Sequence, residues 1–133
     1  MIYAFDTNTV IHLLRGAPSV RARFDKVIEK GESIVIPPFV NYEMRRGFLY
    51  KPAPTKEKAY RLLCTRYPVG EMNAAVWERA AAIYANLRRD GRTVNDADLL
   101  IAAFCIVNNY TLVTANTRHF DMIEGVQLVN WVE

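Results

Sequence analysis

Only two cysteines and two histidines occur in the 133 residues. No apolar stretch approaches the thickness of a bilayer. Each scarcity excludes something. Cys64 and Cys105 stand far apart, in helix-like patterns and outside any CxxC motif, so they read as packed thiols rather than a disulfide or a zinc site. The longest apolar run, Leu99 to Val107, falls well short of the ~20 residues of a spanning helix. Ile2 to Phe5 follows Met1 directly, with no basic segment leading an apolar core, so no secretory leader is read. Low-complexity tracts and internal repeats are absent. The expectation is a single cytoplasmic domain, residues 1–133, without membrane association.

What is present is an ordinary globular composition, 51% hydrophobic and 23% charged. The net charge of +3 is a weak pointer to an anionic partner. It strengthens if Asp6, Glu43, Asp96 and Asp98 are sequestered in a site, because ten acids then face 17 bases. Twelve of those bases are arginine, whose planar fork donates paired hydrogen bonds to phosphate.

Along the chain, short apolar runs alternate with helical periodicity. Ile2–Phe5, Ser33–Ile36 and Thr111–Thr114 read as buried strands, with a last strand near 126–131 and a short edge strand at Tyr67–Val69. Helices are expected over about 8–15, 18–30, 39–50, 55–66, 73–89 and 96–108, with a short one near 117–123. Pro18 suits a first helical turn, and Asn73 suits an N-cap. For the helix at 55–66, Ala59, Leu62, Leu63 and Arg66 mark the phase. The helix after Asp96 is apolar nearly all round. Alternation of this kind predicts a three-layer α/β/α domain with a mostly parallel central sheet, whose ligands bind beyond the carboxyl ends of the strands.

Acids occupy that edge. Asp6 ends the first strand, where it suits a site, a helix N-cap, or both. Glu43 lies beside the apolar stripe of its helix (Phe39 and Val40 precede it by one turn), so it needs a cation or hydrogen-bond partners, with Arg45 and Arg46 at hand for a salt bridge. Asp96 and Asp98 open the most apolar helix, and either one suits a cap; spacing does not choose between them. Carboxylates gathered together repel one another and raise their own pKa values, and a hard divalent cation relieves that repulsion. Oxygen-only ligands favour Mg²⁺ or Mn²⁺ over zinc.

The segments Ala4-Phe5-Asp6-Thr7-Asn8, Pro38-Phe39-Val40-Asn41-Tyr42-Glu43, Gly91 through Ala103 with its Asn95-Asp96-Ala97-Asp98-Leu99-Leu100, Leu112-Val113-Thr114-Ala115-Asn116 with His119-Phe120, and Asn130-Trp131 occur in a telling order. Together they resemble the PIN-domain ribonuclease toxins of VapB–VapC toxin–antitoxin systems, over essentially the whole chain. The resemblance implies a Mg²⁺- or Mn²⁺-dependent endoribonuclease acting on structured RNA, tRNA first among the choices. It implies Asp6, Glu43 and Asp98 as catalytic residues and metal ligands, with Asp96 a cap or auxiliary acid. A position that is often aspartate in the family is Asn116 here, which removes one negative charge and puts a second metal ion in doubt. Thr7, Asn8 and Thr114 are expected to hydrogen-bond ligands, metal waters or phosphate, and Arg15, Arg45, Arg46, Arg92 and Arg118 to hold the RNA backbone. A cognate VapB-type antitoxin and a homodimer are the implied partners, the antitoxin lying in an apolar groove near the helices at 39–50 and 55–66.

Histidines His12 and His119 read as structural. Phe39, Tyr42, Phe48, Tyr50 and Trp131 read as core or interface residues rather than base-stacking platforms. Two rival classes are a non-catalytic PIN relative that binds RNA or a partner, and a Mg²⁺-binding receiver-like signalling domain. The latter wants an acid pair after the first strand and a lysine after a late one, which this chain lacks.

Overall fold

The computed structural model describes residues 1–132. Four short strands, β1 (Ile2–Phe5), β2 (Ser33–Val35), β3 (Thr111–Val113) and β4 (Gln127–Val129), form one sheet in the order β2-β1-β3-β4. Every pairing is parallel, with Ala4 opposite both Val35 and Leu112. Parallel strands need crossover connections, and six helices supply them: α1 (Thr7–Leu14), α2 (Pro18–Glu29), α3 (Pro38–Tyr50), α4 (Pro54–Arg66), α5 (Ala74–Arg89) and α6 (Asp96–Asn108). All three residues of β3 are buried, so both faces of the sheet are covered, as the continuous apolar strands predict. No helix among the described residues is long and apolar enough to cross a membrane.

Local chemistry sets the helix ends. α2, α3 and α4 each begin with proline, where the missing N–H would have had no intrahelical partner. Asn73 caps α5 by accepting from Val76 N at 3.1 Å. Gly91 closes α5 at φ +71°, a left-handed turn that glycine adopts without strain, and so launches the loop carrying the α6 cap. Five consecutive residues of α6, Ile101 to Cys105, are buried, which explains its lack of a polar face. From β1, the Phe5 ring meets Trp131 edge-on at 5.3 Å and Phe24 of α2 at 6.4 Å. Cys64 and Cys105 are both free thiols, as expected.

Four local expectations are corrected. Tyr67–Val69 is not a strand: Pro68 cannot donate, and the segment makes only a parallel bridge from Val69 to Ile36. The helix expected near 117–123 shrinks to one 3-10 turn, Thr117–His119. The last strand is limited to Gln127–Val129. In α4 the inward phase is set by Tyr60, with Leu63 and Cys64 half-buried, while Leu62 is 59% exposed and Arg66 faces solvent. A tyrosine whose hydroxyl finds a partner (Asn41 Oδ1, 2.8 Å) outweighs an aliphatic stripe there.

Candidate active site

At the carboxyl edge of the sheet, Asp6 follows the last residue of β1 and precedes α1. Its backbone is extended (φ −75°, ψ 172°), and Oδ1 accepts from Thr9 N at 2.8 Å, capping α1. Its own N–H donates to Val113 O at 3.3 Å, and Thr9 Oγ1 donates to the same carbonyl at 2.8 Å. Asp6 thus serves as cap while being fixed from two strands, and it is 6% exposed. One residue on, Thr7 Oγ1 donates to Glu43 Oε1 at 2.7 Å, which ties the start of α1 to α3. Asn8 is exposed.

The other carboxylate oxygen of Glu43 receives Arg46 Nη2 at 3.4 Å, so of the two arginines at hand in the sequence it is Arg46 that pairs with it. Glu43 therefore combines a salt bridge with a position beside Thr7. Neither acid of α6 is its cap. That role falls to Asn95, whose Oδ1 accepts from Asp98 N at 2.8 Å. Asp96 is left exposed at the first helical position, and Asp98 sits two residues on, still in the first turn but partly buried. The sequence signal for this was available: asparagine three residues ahead of an acid, just before an apolar run.

Asp98 Oδ2 accepts from Asn95 Nδ2 at 2.9 Å and lies 3.4 Å from His119 Nδ1. Its carboxyl is pushed above the ordinary aspartate range, first by burial and further by the charges of Asp6 and Glu43, against the lowering effects of Asn95 and His119. The three carboxylates from β1, α3 and α6 accordingly share one electrostatic field. The donor set contains oxygen only, which suits a hard divalent cation. Among the described residues no three acidic, histidine or cysteine groups already close around a point as an ion cage. Thr7 and Arg46 draw off Glu43, and Asn95 and His119 draw off Asp98.

His119 was read as structural, yet it stands 58% exposed beside Asp98, brought there by the turn after β3. Thr114, expected to meet a ligand, is fully buried, and its Oγ1 accepts from Asn116 N at 3.0 Å; it shapes the loop behind the site. Asn116 itself is exposed at the head of that turn, next to exposed Arg118. Arg45, expected to hold RNA, is committed to Glu57 of α4 at 3.1 Å, an acid that Arg61 also grips. Arg15 is exposed on a groove of about 530 Å³ between α1, α3 and the α3–α4 connection, whose wall includes Thr7, Glu43 and Phe48. Arg92 is exposed in the loop before α6, beside Tyr84 and Arg88.

Residues 3–125 match the PIN domain family. The chain belongs to that family. Within it, the chain resembles ribonuclease VapC19 of Mycobacterium tuberculosis, 31% identical over 122 residues that span 92% of this chain and 94% of the relative. It also resembles the tRNA(fMet)-specific endonuclease VapC of Shigella flexneri, 29% identical and covering 97% of each. Among solved structures, VapBC2 from Rickettsia felis bound to a DNA fragment from its promoter superposes with a TM-score of 0.89 at 26% identity, over 98% of this PIN domain and 99% of that chain. The receiver-like alternative is thereby set aside, and the PIN fold expected from the sequence holds.

Proposed function

We propose that this PIN domain is the toxin of a toxin–antitoxin pair and acts as a metal-dependent endoribonuclease, with Asp6, Glu43 and Asp98 as its working acids. The observation that carries the proposal is geometric: the carboxylates of Asp6, just after β1, of Glu43, on α3 and bonded to Thr7 at 2.7 Å, and of Asp98, at the head of α6, stand at one edge of the sheet, near enough for the first two to push up the pKa of the third. Three carboxylates from three separate elements gathered at one sheet edge make little sense as structure alone. They make sense as ligands awaiting a cation. Asp6 and Asp98 would hold Mg²⁺ or Mn²⁺, and Glu43 would complete the shell or accept the proton of the attacking water. Such an ion lowers the pKa of bound water and shields the scissile phosphodiester. Thr7 keeps Glu43 oriented toward the end of β1, and Asn95 sets the rotamer of Asp98.

The substrate class follows from similarity to enzymes named as ribonucleases, one of them specific for a tRNA. A structured RNA with unpaired loop nucleotides is the fitting substrate, since duplex RNA hides its base edges. Of the arginines expected to hold the backbone, Arg15, Arg46, Arg92 and Arg118 are exposed and would serve that role. An antitoxin of VapB type suits the groove beside Thr7 and Glu43, where Ile11, Leu14 and Phe48 supply apolar wall and Arg15, Lys51 and Lys56 supply cationic groups. The solved VapBC2 assembly supports the pairing.

The deciding experiment incubates purified antitoxin-free protein with total tRNA, with Mg²⁺ or Mn²⁺ and with a chelator, beside Asp6→Ala. Cleavage that requires the cation and disappears in the variant is expected. Intact RNA in every lane, or equal cutting by Asp6→Ala, overturns the reading.

A further inference from the structure

On the exposed face of α3, next to Glu43, three side chains form a stack. The Tyr42 ring is 53% exposed and lies 5.4 Å from the Phe39 ring, tilted by 58°. The Arg46 guanidinium sits 5.0 Å over the Tyr42 ring centroid, and its Nη2 also reaches Glu43 Oε2 at 3.4 Å. Phe39, Tyr42 and Arg46 recur at helical spacing, so the row is built into one face of α3. One guanidinium thus separates the ring of Tyr42 from the carboxylate of Glu43.

The Tyr42 ring stands half in solvent on a helix that buries Val40 and Met44 on its other side, and among the exposed aromatics of α3 it is the one beside Glu43. The ring is held by neighbours on its own helix, Phe39 and Arg46. Its chemistry is that of a platform for single-stranded nucleic acid: a π face for a base, with a cation alongside for the adjoining phosphate. Duplex bases are already stacked on one another and have no face to offer.

We infer that Tyr42, steadied by Phe39 and Arg46, is a positioning residue that stacks an unpaired base next to the scissile phosphate. The inference rests on the endoribonuclease reading above and specifies its substrate as RNA with an unpaired nucleotide at that point. Arg46 is the coupling element. Its guanidinium holds the ring in register with Glu43, and phosphate competes for the same donors once RNA arrives. A purine, with the larger ring area, is held better than a pyrimidine.

The test uses the full chain and a hairpin RNA whose loop contains the cleavage point, intact or with the base next to that point removed. Tyr42→Ala should raise KM on the intact RNA roughly 5- to 100-fold with kcat changed less than about threefold. Tyr42→Phe, which keeps the π face, should stay near wild type. On the abasic RNA, wild type and Tyr42→Ala should converge to within about twofold. Thermal melting should be unchanged, since the ring is exposed. Equal KM for wild type and Tyr42→Ala on intact RNA overturns the stack while leaving the nuclease reading in place. So does a penalty that persists on the abasic RNA, or a change of oligomeric state in sedimentation, which would make Tyr42 a protein contact. If wild type cuts no RNA with either Mg²⁺ or Mn²⁺, the nuclease reading fails and takes this inference with it.

Discussion

Asn95 and Asp98 hold each other through two hydrogen bonds, Asp98 N to Asn95 Oδ1 at 2.8 Å and Asn95 Nδ2 to Asp98 Oδ2 at 2.9 Å. One amide side chain thereby caps α6 and fixes the carboxylate that heads it. Asn95→Ala should remove both. Loss of an N-cap costs about 1 kcal/mol of stability. The freed Asp98 should also lower cleavage, and kcat should fall more than the stability loss explains. Asn95→Asp, which can still cap but cannot donate to Asp98, separates the effects: stability near wild type with reduced kcat is expected. A variant with full activity would show that Asp98 needs no such support.

Charge at Asp98 is held at a cost. Burial first, then Asp6 and Glu43, keep its pKa above the unfolded value. For an acid with a raised folded pKa, the penalty is present in full above that pKa and is relieved as pH falls through it. Asp98→Asn, which keeps an acceptor for Asn95, should therefore melt at a higher temperature than wild type near neutral pH in chelator. The two curves should draw together as pH drops into the acid range. The same variant should lose on the order of 100-fold or more in cleavage. Thermal melts across pH check the first statement, and a less stable variant at neutral pH would contradict it.

Gly70 lies against the ring of Phe104. A Cβ added at residue 70 would fall 2.4 Å from Phe104 Cζ, and Phe104 is only 2% exposed. The ring has no room to retreat. Gly70→Ala should destabilise the fold by about 1–3 kcal/mol, as overpacking does. Combining it with Phe104→Leu should recover part of that loss. Urea denaturation of the single and double variants measures it, and simple additivity of the two losses would refute the contact.

The two thiols should differ in reactivity. Cys105 is fully buried in α6, and burial pushes its thiol well above the ordinary range, so thiolate is scarce. Cys64 is half-buried on α4. An aromatic disulfide reagent should titrate no more than one thiol per native chain on the minutes timescale and two after unfolding in guanidinium. Rapid native labelling of two would mean that α6 opens readily.

Much of this was legible in the residue order because it depends on periods. Continuous apolar runs gave the parallel strands, and Asp6, Glu43 and Asp98 fell where strand ends and helix faces demanded an explanation. Contacts between distant segments were not legible. His119 reaches Asp98 only because β3 and its following turn return to the head of α6. Arg45 looked as available as Arg46 until α4 folded back and offered Glu57. Tyr42 reads from the sequence as core or interface, and its phase on α3, which decides between burial and exposure, is set by packing that the sequence does not show. Spacing alone does not rank Asp96 against Asp98; the family resemblance favours Asp98, and the cap expected of one of them belongs to a third residue, Asn95.

The position of Asp6 has a consequence for the order of events in synthesis. Its N–H and the Thr9 hydroxyl both bind the carbonyl of Val113, and β1 lies between β2 and β3. Asp6 is made long before Val113 and acquires its full seat only when β3 has left the ribosome. Contacts of such long sequence separation form late and close slowly. A nascent chain stopped anywhere before residue 113 lacks the carbonyl that seats Asp6.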